Sequence, residues 1–187
     1  MNYQEAQNTV LKLSDRYSVA GSPMAMSYNG QADFLVKIPP FLDDAMGVIA
    51  TTVGKLRKTV PIAGLARDGD WYRLPEDCMR ACPLNVEGAW FPDESHLAIP
   101  DGTGAYLTYY RRPTPLGENP DPAQELDGTE EMQRAALYYA AAYLMLHEDD
   151  FAHKALLTEW ERHLGRLATL PRAETGTVQN VYGEVEV

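Results

Sequence analysis

The sequence predicts an α+β protein: a mainly α-helical bundle with an inserted small antiparallel β-sheet and an extended C-terminal arm. Three observations carry this expectation. Apolar residues recur at three- and four-residue steps over residues 41–56 and in two stretches between 127 and 169, the period of amphipathic helices. Residues 58–116, between these regions, hold short β-branched and aromatic runs broken by Pro, Gly and Asp. After Leu170 the helical period disappears. The chain's last residues then alternate, with Val181, Gly183, Val185 and Val187 on one side and Tyr182, Glu184 and Glu186 on the other. The expected divisions are 1–57, N-terminal helices; 58–116, a β-rich insertion; 117–169, a helical hairpin packing on the N-terminal helices; and 170–187, the arm.

In order along the chain, residues 3–17 read as a short polar helix with Val10, Leu11 and Leu13 as its apolar side. Asn29-Gly30 marks a turn. Asp33 starts a helical stretch that Pro39-Pro40 is expected to interrupt, since proline lacks the amide and crowds the preceding turn. From Phe41 a clear helix carries Leu42, Ala45, Met46, Ile49 and Val53, weakened at Gly47 and Gly54, where another backbone could come close. Residues 59–65 read as a strand, Asp68-Gly69-Asp70 as a turn, and residues 74–81 as a short helical turn with an early proline and N-terminal acids. Short strands are expected at 86–91, 96–99 and 105–110. In the last, Tyr106, Thr108 and Tyr110 share one face, with Leu107 and Tyr109 on the other. Asp127 with Glu130 reads as a capping box that opens a helix to about His147. Residues 135–146 of that helix are apolar all round, so it is enclosed within the chain or covered by another subunit. Glu148-Asp149-Asp150 caps a final helix bearing Phe151, Ala155, Leu156, Trp160, Leu164 and Leu167. A two-residue connection makes the pair antiparallel.

The 187 residues include 27 Asp and Glu against 16 Lys and Arg, a formal net charge of −11. A protein that binds nucleic acid by neutralising phosphates needs a basic face, so that class is disfavoured. Cys78 and Cys82 are too few for a disulfide framework and read as reduced thiols. Residues 1–10 lack the basic start and apolar core of a signal peptide. The longest apolar run, 135–146, is too short to span a bilayer. The expectation is a soluble chain made without export.

Signatures of catalysis are sparse. There is no glycine-rich phosphate loop and no nucleophile elbow. His147, Glu148, Asp149, Asp150 and His153 offer ligand types for a hard cation. The same residues also sit where a helix end and the next helix start favour them electrostatically. No enzyme activity, cofactor or metal is expected.

Several blocks together resemble the head–tail adaptor proteins of tailed bacteriophages, also called connectors or neck proteins. The stretch Asp33-Phe34-Leu35-Val36-Lys37-Ile38-Pro39-Pro40-Phe41-Leu42, with Ala45 and Ile49, resembles that family's opening long helix. Trp71-Tyr72-Arg73-Leu74-Pro75-Glu76-Asp77 resembles its Leu-Pro-x-Asp turn. His96-Leu97-Ala98-Ile99-Pro100 and Leu107-Thr108-Tyr109-Tyr110-Arg111-Arg112-Pro113-Thr114-Pro115-Leu116 resemble its paired strands. The helix over residues 132–146, the acidic turn and the helix ending Trp160-Glu161-Arg162-His163-Leu164 resemble its C-terminal hairpin. The resemblance covers residues 30–168 and keeps the order of the elements.

It implies a virion structural protein at the neck, the unique capsid vertex, made in the host cytoplasm. Such proteins form a homo-oligomeric ring, usually a dodecamer, between the portal protein and a downstream tail or neck protein. The ring extends the DNA channel, and DNA passes without specific binding. On this reading the arm, with Val178, Val181, Tyr182, Val185 and Val187, binds the portal. Tyr138, Tyr139, Tyr143 and Leu146 form the subunit interface, and Glu87, Asp93, Glu94 and Asp101 line the channel. The alternatives are an acidic DNA mimic that blocks a basic protein site, a metal-dependent hydrolase using His147, Glu148, Asp150 and His153, and another phage neck or tail-completion protein.

Overall fold

The computed structural model describes residues 1–14, 30–54, 56–84, 86–100 and 104–169. Among these, four helices and two small antiparallel sheets form an α+β fold. The elements are α1 (Tyr3–Leu13), α2 (Gly30–Val53), β1 (Arg57–Pro61), a 3-10 turn (Ile62–Gly64), β2 (Arg67–Asp68), β3 (Trp71–Arg73), β4 (Cys78–Ala81), β5 (His96–Leu97), β6 (Tyr106–Arg111), α3 (Glu130–Met145) and α4 (Asp150–Thr169). The expected C-terminal arm lies outside the described residues, as do residues 15–17 of the first predicted helix.

Helix α3 is the pillar of the bundle. Its Met132, Ala135, Ala136, Ala140, Ala141 and Ala142 are fully buried, and Leu137 and Leu144 nearly so. The enclosure comes from the same chain: α4 and α2 pack along α3, and α1 covers part of the remainder. The many alanines let the surrounding helices approach closely. Thr129 caps α3, its hydroxyl accepting from the Met132 amide. The expected Asp127–Glu130 box is absent, because the Asp127 carboxylate is committed elsewhere.

Helix α2 corrects a second expectation. It runs unbroken through Pro39 and Pro40. Each interior proline costs roughly 3 kcal/mol. The offset is a single apolar stripe, Phe34, Ile38, Leu42, Ala45, Met46, Ile49, Ala50 and Val53, buried from end to end. Burying one such large side chain gains about 1.5–3 kcal/mol, so the stripe outweighs the prolines. Pro39 is itself fully buried. Nothing packs close to Gly47. Gly54 ends the helix at φ +61°, with its amide bonded to the Ala50 carbonyl, a left-handed stop suited to glycine.

Helix α1 is held at its start. Asn2 and Glu5 form a capping box. The Tyr3 and Gln4 amides donate to the carbonyls of Gln124 and Pro122, at 2.8 and 3.0 Å. The loop before α3 thus supplies acceptors for amides that α1 cannot satisfy internally.

The insertion contains two sheets, ordered β1-β6-β4 and β2-β3-β5. They share a separate core of Ile62, Leu74, Leu97, Ile99, Leu107 and Tyr109. Residues 78–81 form β4 rather than a helical turn, because their backbone completes the open edge of β6, with Arg80 opposite Tyr110 and Ala81 opposite Tyr109. Cys78 opens that strand and Cys82 follows it, both as free thiols. Of the strand expected at 86–91, only a bridge between Trp90 and Ala98 forms.

Two carboxylates join the insertion to the bundle. Asp127 accepts a forked pair of bonds from Arg111, 2.8 and 2.6 Å, and a third from the Thr114 amide. Asp43 on α2 accepts from the amides of Leu116 and Gly117. The Arg111 guanidinium holds the Asp127 carboxyl down at about 2. Its charged form therefore adds stability that is complete above the unfolded value of 3.8 and is lost as pH falls from there through about 2. Asp127→Ala, which leaves Arg111 unpaired at a partly buried site, is expected to cost roughly 2–3 kcal/mol in urea unfolding. It should also flatten the acid limb of the stability curve between pH 4 and 2.

Candidate functional site

Strand alternation builds one exposed face on the β2-β3-β5 sheet. Asp68 pairs with Trp71, and Arg73 with His96. Side chains repeat every second residue, and directly paired residues share a face. Asp68, Trp71, Arg73, His96 and Ala98 therefore lie on one side, joined by Trp90, the bridge partner of Ala98. Tyr72 and Leu97 point the other way into the insertion's core.

This outward face combines aromatic and charged groups. Trp71 is 40% exposed and Trp90 56%. Trp71 lies 5.6 Å from the His96 ring, centre to centre. Arg73 pairs with Asp68 at 2.7 Å. His96 Nδ1 is 2.9 Å from Asp93 Oδ2, and Nε2 is 3.4 Å from Asp68 Oδ2. Asp93 also accepts from the Ser95 amide and hydroxyl. Those bonds, the Ser95 amide foremost, hold the Asp93 carboxyl at about 2. The two carboxylates, Asp93 foremost, raise His96 above its usual 6.5. Tryptophan and arginine are the residues that most often dominate protein interfaces, and exposed aromatics grouped on one face mark an interaction surface.

The residues singled out from the sequence fall in different places. Glu87 and Glu94 are exposed in the insertion, and Asp93 is the hydrogen-bonded acid just described. Asp101, Val178, Val181, Tyr182, Val185 and Val187 lie outside the described residues. Tyr138, Tyr139 and Tyr143 find partners within the chain. Tyr138 stacks on His163 at 5.1 Å, Tyr139 packs edge-on to Trp160, and Tyr143 contacts Tyr139 and Phe41. Helices α2 and α4 thus supply part of the covering of these three tyrosines, which remain partly exposed. Leu146 remains exposed, at the rim of a groove of about 310 Å³ between α2 and the end of α3. Phe151, expected on the apolar stripe of α4, is 83% exposed. Of that stripe Trp160 and Leu167 are buried, and His163 joins them.

Among the described residues, no three His, Cys, Asp or Glu side chains are grouped to hold a metal ion. Asp149 caps α4, accepting from the Phe151 and Ala152 amides, and His153 Nδ1 donates to the Ala142 carbonyl. No helix among the described residues is long and apolar enough to cross a membrane. The chain matches no protein-family model, and no curated protein matches it in sequence.

The tryptophan face leaves only a partial signal in the sequence. Trp71 and Trp90 stand beside polar turn residues, but only strand register shows that they share a side. The cluster predicts a pH response. Protonated His96 adds stability that is present below pH 6.5 and lost as pH rises through its raised value. NMR titration should place His96 above 6.5, and Asp93→Asn should bring it back toward 6.5.

Proposed function

We propose that this chain is a head–tail adaptor of a tailed bacteriophage: a virion structural protein whose copies form a ring, most simply a dodecamer, between portal and tail. The observation that carries the reading is the meeting of its two most specific sequence blocks. Asp77, from the Leu-Pro-x-Asp block, accepts at 2.8 Å from the hydroxyl of Tyr109, in the Tyr-Tyr block 32 residues later. Lys58 pairs with the same carboxylate from β1. The two blocks thus form one joint that ties the turn before β4 to the central strand β6. The order of helix, β insertion and helical hairpin agrees with the order that the resemblance implies.

The charge supports the same reading. A conduit for DNA works best if its wall does not release counterions from the phosphates. At −11 per chain, twelve copies carry on the order of −130. In this proposal Glu87, Asp93, Glu94 and Asp101 face the passage, and the arm of residues 170–187 reaches the portal. The tryptophans Trp71 and Trp90, at the border of that acidic rim, make a protein contact of the assembled ring.

Native mass spectrometry and negative-stain imaging of the protein with portal should show a ring bound at the portal. Absence of any association sinks the proposal. Trp71→Ser combined with Trp90→Ser should weaken assembly while shifting fold stability by no more than about 1 kcal/mol, since both side chains are exposed. Deleting residues 172–187 should weaken portal attachment and leave the melting temperature nearly unchanged. A fall of many degrees would make the arm part of the core instead.

A further inference from the structure

An acidic chain with a concentrated basic pocket calls for explanation. Between α1, α3 and α4 lies a pocket of about 360 Å³. Its wall includes Arg134 of α3 and Arg162 and Arg166 of α4. Helix antiparallelism brings them together. Tyr138 stacks on His163, so one turn back along α3 (Arg134) meets one turn forward along α4 (Arg166). Three of the chain's 16 basic residues thus line one concavity, in a chain whose 27 acids outnumber them.

The local acids leave an excess of positive charge. Arg134 pairs with Glu130 and Arg162 with Glu159, each within its own helix. The Arg166 side chain has no ion-pair partner among the described residues. Its position near the end of α4 suits the helix dipole, but that does not account for Arg134 on the neighbouring helix.

A second observation points to a ligand. His163 lines the pocket and is only 5% exposed, yet its Nδ1 has no hydrogen-bond partner. A buried polar atom left unpaired loses its bonds to water without replacement, and such atoms are rare.

We propose that this pocket binds an oxyanion, a phosphate or a carboxylate group, held by Arg134, Arg162 and Arg166 beside His163. Arginine suits both anions, because its planar fork can place two parallel N–H bonds on one of them. The pocket's apolar wall, Leu13 and Leu137, accommodates the carbon portion of such a ligand. The site lies on the helical bundle, apart from the tryptophan face, and does not depend on the adaptor reading.

Binding has a specific electrical consequence. Burial first, and then Arg162, Arg166 and Arg134, hold His163 below 6.5, with Glu159 opposing them. The other ionisable groups at the pocket are Glu130, Tyr138 and the amino group of Met1. An anion among the arginines offsets their field, so His163 takes up a proton more readily.

The test is an NMR titration of the His163 ring in the full-length protein. Sodium sulfate is added at constant ionic strength, with chloride as the balancing salt. Sulfate is chosen because it does not titrate near neutrality. Saturable change at millimolar sulfate or below, with a rise in the His163 pKa, is expected. Arg166→Gln should weaken the affinity about tenfold or more, and Arg134→Gln serves as a second variant. Inorganic phosphate and succinate, run in parallel, distinguish the two sources of the oxyanion by their relative affinity. No response of His163 beyond that to chloride overturns the proposal. So does equal saturation in folded Arg166→Gln and Arg134→Gln.

Discussion

A helix that is apolar on all sides beyond its first turn sets the architecture. Helix α3 presents apolar atoms around nearly its whole circumference, and exposing any side of it to water would lose burial worth about 25 cal/mol per Å². Three helices must therefore surround it. The short α3–α4 connection places α4 along one side, while α2 and α1 return from the far end of the sequence to cover the others. The same demand explains why α2 tolerates two prolines. Its buried stripe has to run the length of α3, and breaking the helix at Pro39 would strip Phe34 and Ile38 from that surface.

The acidic residues perform structural work beyond setting the net charge. Asp43 and Asp127 receive backbone amides from the segment that leaves the insertion. Asp77 ties β1 and β6 to the turn before β4, and Asp149 starts α4. A carboxylate accepts several bonds at once, so each can satisfy irregular backbone where no ladder or helix is available. The insertion can thereby keep its own small core and still be fixed to the bundle. Its outer face then leaves two tryptophans in solvent, supported from behind by Tyr72 and Leu97.

Most helices were legible from periodicity, because burial of one face leaves a three- and four-residue rhythm whatever the partner. The turn at Gly69, the acidic cap at Asp149 and strand β6 were legible for similarly local reasons. The errors share one cause. Residues 78–81 have neutral local preference, and β6 decides that they are a strand. Asp127 carries a capping signal, but Arg111 outcompetes the helix end for its carboxylate. Phe151 fits the period of α4, yet it sits beyond the end of α3 and has nothing to pack on. The basic pocket was invisible for the same reason: Arg134 and Arg166 are 32 positions apart and meet only through the stacking of Tyr138 on His163.

The sequence by itself determined the fold class, the central apolar helix, the antiparallel hairpin and the acidic balance, since composition, periodicity and a short connection suffice for each. The tertiary structure alone decided which strands pair, which carboxylates become anchors, and which aromatic and basic side chains converge. Those outcomes depend on competition between groups distant in the chain. A carboxylate or a strand edge takes the best partner that the folded geometry offers, and local preference cannot foresee which one that is.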